Sequence, residues 1–131
     1  MRTPDERWKK MLAVHKKCCQ DILGISKSIR YAGVINAYGR TLTGVTSPSA
    51  KLLLGPMEVK NEFFVISTMM TQRKDSADKM GKLDHAVLIH QKVFVILVHK
   101  DGVTYYVSVS KKEKNLDTVI AKIKKIASRQ A

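Results

Sequence analysis

Three closely spaced apolar runs leave this chain little choice of architecture. Leu83 to His90, Val93 to His99 and Val103 to Val109 are rich in β-branched residues, and only Gln91-Lys92 and Asp101-Gly102 separate them. Asp-Gly is a strong two-residue hairpin signal, because both positions tolerate the positive φ that a tight turn needs. With two-residue turns the register can be written down: Val87 faces Ile96, which faces Val107, while His85 faces Val98, which faces Tyr105. One sheet face then holds His85, Val87, Ile89, Phe94, Ile96, Val98, Tyr105, Val107 and Val109. The other holds Leu88, Val93, Val95, Leu97 and Tyr106 among polar residues. Neither face suits water, so helices are expected on both.

The rest of the chain supplies them. Thr3-Pro4-Asp5-Glu6 combines a capping residue, a first-turn proline and a glutamate that completes a capping box. Trp8, Met11, Leu12, His15, Cys18, Cys19, Ile22 and Leu23 then recur at helical spacing, with Lys9, Lys10, Lys16 and Lys17 largely off that stripe, until Gly24. Ile29 to Ala37 and Arg40 to Thr46 read as a hairpin turning at Tyr38-Gly39, and Ser47-Pro48-Ser49 as a loop. Gly55-Pro56 opens a second helix expected to reach about Lys74, with Glu58 and Glu62 early and Arg73 and Lys74 late, as the helix dipole favours. Its apolar residues form two groups: Val59, Phe63, Ile66 and Met70 make one stripe, while Met57, Phe64, Val65 and Met69 point elsewhere. Such a helix is covered on more than one side. Asp75 to Lys82 reads as a polar link. Asn115 is placed to cap a last helix with the stripe Leu116, Val119, Ile120, Ile123, Ile126 and Ala127. The expectation is an α+β fold, α-β-β-α-β-β-β-α, in which residues 1–131 form one domain around a five-stranded antiparallel sheet.

That order of elements resembles the roadblock (dynein light chain) family, which has a profilin-like fold. The resemblance rests on the first hairpin, Tyr31-Ala32-Gly33-Val34-Ile35-Asn36-Ala37-Tyr38-Gly39-Arg40, the long second helix, the strand triplet with its Asp101-Gly102 turn, and the amphipathic last helix. Profilin, longin and PAS-like domains share much of the layout. The resemblance implies a dimeric interaction module linked to small GTPases or motor complexes, with a dimer surface on the second helix and the edge strand after it. Carried onto this sequence, that surface is Phe64, Val65, Met69, Leu83, His85, Val87 and Ile89.

Charge is the departure from that pattern. The chain has 24 Lys and Arg against 11 Asp and Glu, a net +13, which favours a polyanionic partner: nucleic acid, an acidic protein or an anionic membrane surface. Residues 1–24 and 111–131 together carry eight of these thirteen net charges. Lys111, Lys112, Lys114, Lys122, Lys124, Lys125 and Arg129 are the leading anion-contact candidates. A solvated face that maintains solubility explains them equally well.

No pattern points to a catalytic centre or cofactor. His15 lies within an apolar stripe, where a lone histidine is more often packed than ligating. His85 and His90 point to opposite sheet faces, and His99 is expected beside Asp84, so three metal ligands do not converge. Ser108-Val109-Ser110-Lys111 has an SxxK spacing but leaves a strand without the companion motifs of the hydrolases that use it. Adjacent Cys18 and Cys19 make neither a disulfide framework nor a CxxC site and read as core thiols in a reducing compartment. The glycines follow neither phosphate-loop nor dinucleotide spacing. The charged start, Met1 to Lys10, lacks the apolar segment of a signal peptide, so a cytoplasmic protein without a membrane span is expected.

Three functions follow. The first is a non-enzymatic homodimeric interaction module that scaffolds or regulates a protein partner, with a small GTPase the partner class implied by the resemblance. The second is a nucleic-acid binder contacting phosphate backbone without sequence specificity. The third is a PAS- or longin-like sensor domain.

Overall fold

The computed structural model describes residues 3–129. Its first helix, α1 (Pro4–Leu23), begins as its sequence dictates. The Thr3 hydroxyl accepts the Glu6 N–H, and the Glu6 carboxylate accepts the Thr3 N–H, both at 3.2 Å. Five strands follow the expected order: β1 (Ile29–Ile35), β2 (Thr41–Thr46), β3 (Ala86–Ile89), β4 (Val93–Lys100) and β5 (Val103–Ser110). They form one antiparallel sheet in the order β2-β1-β5-β4-β3, which leaves β2 and β3 as edges. The second helix, α2 (Pro56–Gln72), ends two residues before Lys74. The expected polar link tightens instead into a 3-10 turn (Arg73–Ser76) and a one-turn helix, α3 (Ala77–Met80). The last helix, α4 (Leu116–Ala127), has Asn115 at its N-cap position, but the Asn115 side chain makes no cap bond. Its backbone N–H donates to Glu113 Oε2 instead, at 3.0 Å.

The register expected from the two-residue turns is present. Val87 pairs with Ile96 and Ile96 with Val107, and Val98 pairs with Tyr105. The pairing of His85 with Val98 is not, because β3 starts at Ala86. The expected contact between Asp84 and His99 is also absent. Asp84 lies against Lys124 of α4 and accepts from His85 Nδ1 at 2.6 Å, while His99 Nδ1 meets the Thr104 hydroxyl at 3.3 Å. The segment before β3 thus turns toward α4 rather than continuing the ladder.

Helices clad both faces. On one, Cys18, Cys19 and Ile22 of α1 and Val119, Ile123 and Ile126 of α4 pack with Ala32, Val34, Ile96 and Val107. On the other, α2 alone buries Phe63, Ile66 and Met70 against Ile35, Val95, Leu97 and Tyr106. Both layers depend on close packing. Replacing fully buried Leu97 by alanine is expected to cost about 2–5 kcal/mol, read as a lower urea midpoint with an unchanged slope.

Three aromatic rings set how α2 lies on the sheet. Phe63 meets Tyr106 edge-on at 4.9 Å between centroids and stacks on Tyr31 at 6.3 Å. The Tyr106 hydroxyl donates to Glu62 Oε2 at 2.7 Å, a charge-assisted bond that fixes the helix about its own axis. Tyr31 lies over paired Gly33 and Gly44, where a Cβ at either position would collide with its ring.

Candidate functional site: the outer face of helix α2 and the basic end of the sheet

With Phe63, Ile66 and Met70 inward, the 3.6-residue period turns Met57, Asn61, Phe64, Val65 and Thr68 to solvent. Phe64 and Val65 are 53% and 54% exposed, and Met57 is 76% exposed. From Phe63 to Gln72 the helix carries no charge. In a chain with net +13, this stretch is uncharged and largely apolar on its outside, and exposed Glu58 and Lys60 precede it on the helix.

The seven residues carried over as a dimer surface do not share one face. Phe64 and Val65 are on the outside of α2, whereas Met69 and Leu83 are half-buried against the core beneath it. Val87 and Ile89 pair with Ile96 and Phe94, so they project on the opposite, α4 side of the sheet. His85 is half-buried beside Asp84. β3 itself is an edge strand and ends at exposed Ile89.

The seven basic candidates are likewise divided. α1 and α4 share a sheet face as expected, but Lys124 is held by Asp84 and Arg129 by Asp21, which also pairs with Lys17 at 3.1 Å. Lys122 and Lys125 are exposed on α4. Lys111 sits 4.4 Å above the Phe94 ring, a cation–π contact. Lys112 lines a cavity of about 380 Å³, whose other cations are Lys27 and Arg30 from the start of β1. Neither of those two stood out in the sequence, since their neighbourhood depends on strand order.

The buried titratable groups are structural in their contacts. Cys19 is fully buried, which pushes its thiol up to about 12, and the Cys18 thiol faces the Ile126 carbonyl at 3.6 Å. His15 Nδ1 and the Tyr105 hydroxyl share a hydrogen bond of 2.8 Å. Among the described residues no cluster of three or more His, Cys, Asp or Glu could hold a metal ion. None of the helices they form is long and apolar enough to cross a membrane.

Two pH windows follow from these contacts. Burial, then the nearby Lys100, lowers His15, and burial, then Lys74, lowers His99, both from an ordinary 6.5. The unfolded chain therefore takes up protons that the folded chain refuses. This contribution is complete above pH 6.5 and is lost as pH falls through the depressed native values. Glu113 accepts from the hydroxyls of Ser26 and Ser28, then from the Asn115 N–H, which lowers it from 4.5 to about 2. Its contribution is present above 4.5 and lost as pH falls through about 2. Glu113→Gln is expected to flatten the fall of Tm in this lower window only partly, since Asp21 and Asp84 are also held low by their ion-pair partners. Thermal unfolding followed by circular dichroism across both windows checks this.

No family model matches the chain, and no curated protein sequence does. Solved structures do. The gliding protein MglB from Thermus thermophilus superposes with a TM-score of 0.71 at 10% identity, covering 90% of this chain and 88% of that one. A roadblock/LC7 domain from Streptomyces avermitilis gives 0.62 at 9% identity, covering 84% and 91%. The chain has the roadblock fold. A further MglB structure, described as a tetrameric arrangement, gives 0.65 at 10% identity over 97% and 93%. The roadblock likeness thus spans nearly the whole chain, and at these identities it consists of element order and packing. The expectation drawn from the hairpin, the long helix and the strand triplet holds at the level of fold.

Proposed function

We propose that this chain is a non-enzymatic, homodimeric interaction module that scaffolds or regulates a protein partner. The carrying observation is the stretch of α2 from Phe63 to Gln72, which carries no charge and exposes Phe64 and Val65, together with the open edge of β3. Burial of such a stretch against its own copy removes apolar surface from water without desolvating a charge. A two-fold axis beside β3 would let the two edges pair and would satisfy their free backbone groups. Self-assembly of the similar MglB, described as tetrameric, supports the reading. A small GTPase is the partner class that the roadblock resemblance implies.

Amide hydrogen exchange at low and high protein concentration tests the proposed geometry. Protection of Ala86 to Ile89 that rises with concentration is expected. Exchange there that is independent of concentration argues against pairing through this edge.

A further inference from the structure

The strand topology gathers basic side chains from several segments at one end of the sheet. β1 begins there, β2 and β5 end there, and the turn between β3 and β4 closes there. Lys27 and Arg30 come with β1, Lys51 with the loop after β2, and Lys92 with the β3–β4 turn. Lys111, Lys112 and Lys114 follow β5. The acids on these segments are Glu113, engaged by Ser26, Ser28 and Asn115, and Asp117 in the first turn of α4.

The cavity of about 380 Å³ opens within this cluster, between the start of β1, the loop after β2 and the end of β5. Lys27, Arg30 and Lys112 supply cations to its wall, and Ser47, Ser49 and Ser110 supply hydroxyls. Its lining contains no carboxylate among the described residues. Cations and hydroxyl donors around a space of this size suit the oxygens of a phosphate ester. Arg30 is also tied to the loop, because its guanidinium donates to the Lys51 carbonyl.

The same loop carries the longest run of exposed apolar residues at this end. Leu52, Leu53 and Leu54 follow Lys51 directly and are 83%, 50% and 36% exposed. A nucleic acid would engage the cations but offers the leucines nothing to enter. An anionic bilayer satisfies both features, since apolar side chains enter the headgroup boundary while nearby Lys and Arg neutralise lipid phosphates.

We propose that this end of the sheet docks on an anionic phospholipid membrane, with a lipid phosphate in the cavity and Leu52 to Leu54 in the interface. The surface adjoins the start of α2, where Leu54 shares a depression with Met57 and Asn61, but it includes neither Phe64 nor Val65 and does not depend on dimerisation.

Co-sedimentation with vesicles tests it, comparing phosphatidylcholine alone with phosphatidylcholine containing phosphatidylserine. The full chain is expected to bind only the anionic vesicles and to be released as salt rises. Leu52→Ser with Leu53→Ser is expected to weaken binding by about tenfold or more, since affinity scales with the apolar area inserted. Lys27→Gln with Lys112→Gln should weaken it comparably, and unchanged melting curves show that either variant is folded. No vesicle binding, equal binding to neutral vesicles, or wild-type affinity in the folded leucine variant would each overturn the proposal. Glycerol phosphate and a DNA duplex complete the test. Binding of either that the leucine substitutions leave unchanged, in a chain that ignores vesicles, reassigns the cations to a soluble phosphate or to nucleic acid.

Discussion

Replacing both Phe64 and Val65 with glutamate is expected to leave the chain monomeric at concentrations where the wild type is dimeric. Both side chains are more than half exposed in the single chain, so the substitutions remove little from its core, and the melting temperature of the monomer should hardly change. In the proposed dimer they would place four carboxylates in an apolar contact. Four side chains change in the two-fold contact, and at about 1 kcal/mol each the dissociation constant should rise by roughly three orders of magnitude. Lys122→Glu, on exposed α4 surface, is the control for charge alone. Sedimentation equilibrium distinguishes the outcomes: a double variant that dimerises like the wild type would remove α2 from the interface.

The second large effect is expected at Gly39, in the turn between β1 and β2. Its φ is +83°, and a Cβ there would lie 2.8 Å from both Cα and N of Phe64 and 2.9 Å from the Phe63 carbonyl carbon. These are backbone atoms of α2, which the Phe63, Tyr31 and Tyr106 rings hold on the sheet. Gly39→Val combines a left-handed backbone penalty with overpacking, and the sum is roughly 2–5 kcal/mol. Gly102 has a similar φ, +82°, with nothing within 4 Å of the Cβ position, so Gly102→Val should show the conformational penalty without the clash. Urea unfolding of the two variants measures the difference. Equal losses would mean that the turn does not brace α2.

This brace explains which parts of the site were legible in the sequence. The split of α2 into an inner group with Phe63, Ile66 and Met70 and an outer group with Phe64 and Val65 follows from helical period alone, and the structure keeps it. The β3–β4–β5 register follows from turn chemistry, since a two-residue loop leaves one alignment. Spacing groups Met69 with the outer residues, but it sits near the boundary of the two stripes and packs inward. What sequence reading missed is non-local. Register places Asp84 beside His99, but Lys124, forty residues away in the chain, takes it. The serine and lysine wall of the cavity comes from three segments that only strand order brings together. Leu52 to Leu54 lie in a loop, where periodicity says nothing about exposure. The Tyr31 ring over Gly33 and Gly44 had a readable trace, two glycines that face each other across the first hairpin, but its meaning depended on the ring above them.

The claim on which the account rests is that the uncharged stretch of α2 around Phe64 and Val65 is covered by a second copy of the chain. Light scattering on the eluting wild-type protein at high micromolar concentration measures this directly. The account predicts a mass of twice the 14.7 kDa chain, and a single species at the mass of one chain would contradict it.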